Sequence, residues 1–224
     1  VNLIQVMVYD QPGNRNADAD DFYALQEKYP QYIDSVTPAL SVSGLVRQGA
    51  DEYERTSVTG VSETIYDPQR NMTINGEKVD GGRFLSYVDV ERDQNVCVIG
   101  SYLNQAMFAG RGVGERLTIG GVPFTVIGTL AETADSTEGG GDDFLYVPYG
   151  LAAQLNAASG SMGMGSSSYL VTSTSEDTSS AAKGVIESML DRIYGDSGSY
   201  LVITMAEMMD MMDSMLGVLM TILV

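Results

Sequence analysis

The chain has 224 residues, 44% of them hydrophobic, which is enough to bury a sizeable core. Twelve basic residues against thirty acidic ones give a formal net charge of −18, which repels a phosphate backbone and excludes nucleic acid as a partner. The chain has no histidine, so the usual general base near neutral pH and the commonest transition-metal ligand are missing, and its single cysteine allows no internal disulfide.

In chain order, Leu3 to Val8 is a strand-like apolar run that begins almost at the first residue, which is valine and not an initiator methionine, so further chain is expected before it. Asp18 and Asp20 are candidate N-caps for a helix from Phe22 to Tyr29, followed by a strand from Ala39 to Val46, with Pro30 and Pro38 punctuating the path between them. A calcium reading of Asp18, Asp20 and Asp21 lacks the EF-hand loop pattern, and capping explains them with fewer assumptions.

From residue 50 to 150 the texture changes to short apolar runs: Thr56–Val61, Met72–Ile74, Val96–Ile99, Leu117–Ile119 and Phe124–Ile127. Asn75-Gly76 and Gly120-Gly121 supply residues that tolerate the positive φ of tight hairpins, and Ser101–Phe108 is the one helix expected here. Cys97 lies within an apolar run and reads as a buried, inert thiol. Gly110, Gly112 and Gly114 imitate a dinucleotide fingerprint, but they follow a helix and precede a strand, the reverse of what a phosphate loop requires. Thr133–Asp143 and Ala157–Ser168 read as flexible, with Asp142 and Asp143 as solvated loop acids.

The opening order then returns. A strand at Tyr169–Thr172, a cap region at Thr174–Thr178, a helix to Tyr194 and a strand at Tyr200–Thr204 follow one another, with Ala182, Ile186, Met189, Leu190 and Ile193 on one helical face. Two βαβ-like halves therefore bracket the chain. Neither buries its apolar face alone, so the two are expected to form one sheet with both helices on one side.

At the C-terminus Met205, Met208, Met212, Met215, Leu219 and Ile222 recur at steps of three and four, while Glu207, Asp210 and Asp213 lie off that seam. The charge-free end reads either as the opening half of a transmembrane helix, which needs about 20 apolar residues, or as a buried C-terminal helix. The change from amphipathic to wholly apolar favours a stalk entering a bilayer. Thioethers are soft ligands and suggest copper, but methionine at seam positions is ordinary packing, and neither cysteine nor histidine accompanies it here.

The fold expected is α+β. Residues 1–49 and 167–204 form one discontinuous subdomain of two βαβ-type halves, residues 50–156 an inserted mainly-β subdomain, 157–166 a flexible linker, and 205–224 a stalk helix with the truncated start of a transmembrane helix. No catalytic, cofactor-binding or metal-binding residue is assigned. No pair of carboxylates stands out as an acid/base couple, and a Ser-His-Asp triad is impossible.

The middle of the chain resembles the periplasmic core domain of MacB-like and FtsX-like ABC permeases. The resemblance rests on Gly81-Gly82-Arg83-Phe84 with Asp89, on Val96-Cys97-Val98-Ile99-Gly100 followed by a helix carrying Leu103 and Phe108, on the run from Gly114 to Gly128, and on Asp143 with Tyr146-Val147-Pro148. It covers about residues 75 to 150 by motif and the flanking halves by layout only. It implies an extracytoplasmic, membrane-attached domain between two spans, with a porter-like subdomain made from both chain ends and a sabre-like inserted subdomain whose motif glycines allow turns and close approach while Phe84, Phe108 and Phe124 fill the core. It also implies an ATPase on a separate cytoplasmic domain or subunit, a second permease copy, and an adaptor or client peptide or protein outside the cell. The implied work is mechanical transmission for export or signalling, with the isolated fragment a monomer; the alternative is an extracellular binding module without a transport cycle.

Overall fold

The computed structural model describes residues 2–11, 15–133, 135–160, 166–195 and 198–222. In chain order the elements are β1 (Leu3–Tyr9), α1 (Ala19–Lys28), β2 (Ile33–Val42), β3 (Val46–Gln48), β4 (Asp51–Tyr53), β5 (Ser57–Val61), β6 (Tyr66–Asp67), β7 (Met72–Thr73), β8 (Val79–Gly82), α2 (Tyr87–Glu91), β9 (Val96–Ile99) and α3 (Ser101–Phe108). They continue with β10 (Arg116–Ile119), β11 (Val122–Leu130), β12 (Phe144–Pro148), α4 (Ala152–Ala158), β13 (Ser166–Ser173), α5 (Ser179–Tyr194), β14 (Tyr200–Thr204) and α6 (Met205–Ile222). Two compact units result, Val1–Val36 with Ser166–Val224, and Thr37–Gly165.

In the first unit β1 lies between β14 and β13 and is antiparallel to both, with the start of β2 beyond β13. Alternation places Ile4, Val6 and Val8 on one face, level with Tyr169 and Val171 of β13 and Val202 of β14, and all of these are buried. The helices cover that face: Phe22 of α1 stacks on Tyr169 with ring centroids 4.0 Å apart, and Ala182, Ile186, Met189 and Leu190 of α5 are buried. This is the split βαβ arrangement, four strands in the order last, first, third, second. Asp18 caps α1 in a reciprocal box with Asp21, while Asp20 sits in the first turn.

In the second unit the order runs β2, β5, β12, β9, β11, β10, β3, β4, with β8 also on β11. Strands β9 and β12 are buried on both faces. Cys97, Ile99, Leu145 and Val147 join one apolar cluster, Val98 and Tyr146 the other, which explains the unbroken apolar runs in sequence. Cys97 is a core residue whose thiol pKa is pushed up by burial. Gly120-Gly121, both at positive φ, turn β10 into β11, and Asn75-Gly76 lie in a turn closed by Gly76 N–H to the Thr73 carbonyl and Thr73 N–H to the Glu77 carbonyl.

Four expectations need correction. β2 begins at Ile33 and contains Pro38; its ladder with β5 starts at Ala39, so the missing amide hydrogen costs none of those bonds. Two further helices, α2 and most of α4, fall in the inserted region, and α2 is started by a box in which Ser86 and Asp89 cap one another. Asp142 and Asp143 are buried rather than solvated: Asp142 accepts from the amide and hydroxyl of Thr133 and from Ser101, and Asp143 from Thr56 and the Gly139 amide. Those bonds pin the segment expected to be flexible. Lastly, 157 and 158 belong to α4, while 161–165 of the expected linker lie outside the described residues.

Two of the family-like phrases, Gly81–Phe84 and Gly114–Gly128, meet at one crossing of chains, where β8 lies against β11. A Cβ on Gly128 would stand 2.0 Å from the Arg83 carbonyl oxygen, and one on Gly82, at φ +64°, 2.2 Å from that of Ile127. Arg83 then holds Asp89 with both guanidinium branches, at 2.6 and 3.2 Å. Burial alone would raise the Asp89 carboxyl, but the hydrogen bonds from Arg83 and from the Ser86 amide and hydroxyl outweigh it and hold the pKa at about 2. Phe84 and Phe124 are buried, and Phe108 is half-buried against the core.

Gly82→Ala and Gly128→Ala should each cost about 3 kcal/mol or more in urea unfolding. Gly114→Ala, at φ +89° with open space around it, should cost only about 1 kcal/mol; equal costs would contradict the crossing. Because the folded pKa of Asp89 lies below its ordinary 3.8, its contribution is complete above about pH 4 and disappears as pH falls through about 2. Allowing for the half-exposed Arg83, that contribution is about 1–2 kcal/mol, and Asp89→Asn should flatten the stability curve in this window.

Candidate coupling site

The feature of the first unit that projects chemistry outward is the junction of β14 and α6. Thr204 ends the strand and Met205 starts the helix, with no loop between them. The Glu207 amide donates to the Thr204 hydroxyl at 3.3 Å, and the Thr204 amide donates to the Glu207 carboxylate at 3.2 Å, a reciprocal cap of the Thr-x-x-Glu kind. Lys183 of α5 reaches the same carboxylate at 2.5 Å and Glu187 at 3.6 Å. The hydrogen bond to Glu207 raises the Lys183 pKa, and the same bond lowers that of Glu207. One carboxylate thus ties strand, helix start and neighbouring helix together.

The register adds a second tie, since Ile4 of β1 lies opposite Thr204. The first strand therefore enters the unit beside the point where α6 leaves it. Beyond this junction α6 carries no buried residue, and Met212 and Met215 are 63% and 67% exposed. The seam expected from the spacing is present on the helix as an uncovered face. Among the described residues no helix is long and apolar enough to cross a membrane.

The other residues weighed in the sequence have structural places. Gly112 lies under Asn104, whose side-chain oxygen accepts its amide hydrogen at 2.8 Å, and Gly110 and Gly114 sit in turns at positive φ. Sequence reasoning overlooks Ser180-Ala181-Ala182-Lys183 on α5, which has the Ser-x-x-Lys spacing of some nucleophilic enzymes. Its ammonium is engaged by two carboxylates that stabilise the charged form, the opposite of a primed base. In the second unit a groove of about 760 Å³ is lined by Tyr66, Phe84, Tyr87 and Arg83, with Glu63 the one acidic residue on its walls.

The profile of the MacB-like periplasmic core domain matches residues 1–189. The macrolide export ATP-binding/permease protein MacB of Aggregatibacter actinomycetemcomitans is 27% identical over 173 residues, 76% of this chain and 25% of that protein. A probable export ATP-binding/permease protein MacB of Pseudomonas entomophila is 32% identical over 135 residues, covering 59% of this chain and 19% of its own. The chain thus spans a quarter or less of these curated relatives. Among solved structures, the periplasmic region of MacB from Actinobacillus actinomycetemcomitans matches with a TM-score of 0.72 at 23% identity, over 95% of this chain and 93% of that one. The extracellular domain of the noncanonic ABC-type transporter YknZ from Gram-positive bacteria matches with a TM-score of 0.65 at 19% identity, over 90% of this chain and all of that one. Both show the fold.

Thr204→Ala should destabilise the first unit by about 1 kcal/mol through the lost cap. Glu207→Gln should cost less than about 1 kcal/mol, because the ion pair is partly exposed and screened. The depressed Glu207 pKa means that its contribution is present above the ordinary glutamate range and is lost on acidification. Thermal melts of both variants at neutral and acid pH read these differences directly, and wild-type melting of both would contradict the tie.

Proposed function

Since the chain belongs to the MacB-like periplasmic core domain family, we propose that it is the extracytoplasmic part of an ABC transporter permease and relays ATP-driven movement from the membrane to the outside. The observation that carries this reading is the loop-free β14–α6 junction: a force along α6 arrives in a strand hydrogen-bonded along the central β1, with no slack between. The entry of β1 beside the exit of α6 suits a domain held between two consecutive membrane spans, so that both tethers pull on neighbouring strands at one end of one sheet.

The domain's contribution is rigid-body displacement, a shear or hinge transition in which none of its residues does chemistry. ATP hydrolysis belongs to a cytoplasmic ATPase, and a second permease copy completes the transporter on the cell-membrane side of the assembly. The relative from Aggregatibacter actinomycetemcomitans is named for macrolide export, which makes macrolide efflux the first activity to assay.

The test uses the complete permease with its ATPase. Four flexible residues, Gly-Ser-Gly-Ser, are inserted between Thr204 and Met205. Efflux should fall to background while ATP hydrolysis continues near the wild-type rate, because the stroke is still made and no longer transmitted. Efflux at the wild-type level would overturn the proposal.

A further inference from the structure

We propose that the groove of the second unit binds a small organic monocarboxylate, with Arg83 taking the carboxylate and the tyrosine walls taking an apolar body. All of its walls come from residues 63–87 of that one unit, and its volume of about 760 Å³ lies within the roughly 300–1,000 Å³ of small-molecule sites. Tyr66 is stacked on the buried Phe84 with ring centroids 4.9 Å apart, which fixes one wall. Tyr87 forms another and is 63% exposed, a large ring left open to a ligand.

The second, independent observation is how the Arg83 guanidinium spends its five N–H donors. Nη1 donates to the Phe84 carbonyl at 3.0 Å and to Asp89 at 2.6 Å, and Nη2 donates to Asp89 at 3.2 Å. Among the described residues the Nε hydrogen and the second Nη2 hydrogen meet no acceptor. Those two donors make up the side edge of the guanidinium, parallel and spaced to meet the two oxygens of a carboxylate. The structural duty of Arg83 at the crossing uses the other edge, and the buried Asp89 holds the guanidinium plane in place before any ligand arrives. Charge narrows the ligand further. Asp89 already offsets part of the Arg83 charge, Glu63 is the one acid on the walls, and the chain carries −18, so a phosphate dianion is repelled. A single carboxylate is the anion that one such fork holds, and the aromatic walls select an apolar body behind it.

The test is a fluorescence-anisotropy titration of 1-pyrenebutyrate with this chain at neutral pH, beside its methyl ester, which keeps the apolar body and removes the anion. The carboxylate should bind saturably at one equivalent, and the ester about ten-fold or more weakly. Arg83→Lys keeps a cation for Asp89 but removes the fork, and it should weaken the carboxylate to the level of the ester with unchanged circular dichroism. Tyr87→Ala removes an exposed wall and should weaken both probes. Arg192→Gln serves as the control, because Arg192 lines a separate, smaller groove with Arg15 and Lys28 in the first unit, and it should bind like the wild type. Should Arg83→Lys fail to fold, the ester comparison on the wild-type chain and Tyr87→Ala decide the matter. The proposal is overturned if the carboxylate does not bind, if the ester binds as tightly, if Tyr87→Ala has no effect, or if Arg192→Gln is the variant that weakens binding.

Discussion

The antiparallel pairing of the first and last strands is the constraint from which the rest follows. With β14 in register on β1, residue 4 and residue 204 stand side by side. Everything between them is then an excursion that must return to the same end of the sheet. The split βαβ sheet permits this, because its second and third strands need not be joined directly, and the 129 residues of Thr37–Gly165 occupy the interval as a unit with its own core. An apolar face formed by both chain ends is closed by α1 and α5, so the unit that carries the tethers depends on residues from opposite ends of the sequence.

A helix grown directly from the last strand gains its orientation from local chemistry. Thr204 and Glu207 satisfy amide groups that a helix start leaves unpaired, and Lys183 draws the same carboxylate toward α5. Individually these are weak, partly exposed interactions. Their effect is geometric: they remove the freedom a loop would give at the point where movement would be transmitted. The second unit is organised differently, around a glycine crossing that lets β8 and β11 approach more closely than any side chain allows, with Arg83 and Asp89 securing the chain that leaves it.

Much of this was legible in the sequence where burial imposes a period. Ile4, Val6 and Val8 alternate because one face of β1 is core, and Ala182, Ile186, Met189 and Leu190 recur at helical spacing because α5 lies on that face. The strand from Tyr200 to Thr204 and the helix from Ser101 to Phe108 fall where expected for the same reason. What could not be read depends on partners distant in the chain. Asp142 and Asp143 look like loop acids until Thr133, Ser101 and Thr56 converge on them, and the five-residue α2 is too short to show a period. The methionine seam was visible as a pattern; its exposure was not, since spacing says which residues share a face and nothing of what covers it.

The central claim is that α6 and the first unit move as one lever. Spin labels at Ser188→Cys on α5 and Asp213→Cys on α6, in a complete transporter freed of accessible cysteines outside this chain, whose own single thiol is buried, measure it by double electron–electron resonance. The account predicts one narrow distance distribution that is the same at rest and with the ATPase trapped in its closed state. A broad distribution, or a distance that changes with the nucleotide state, would contradict it.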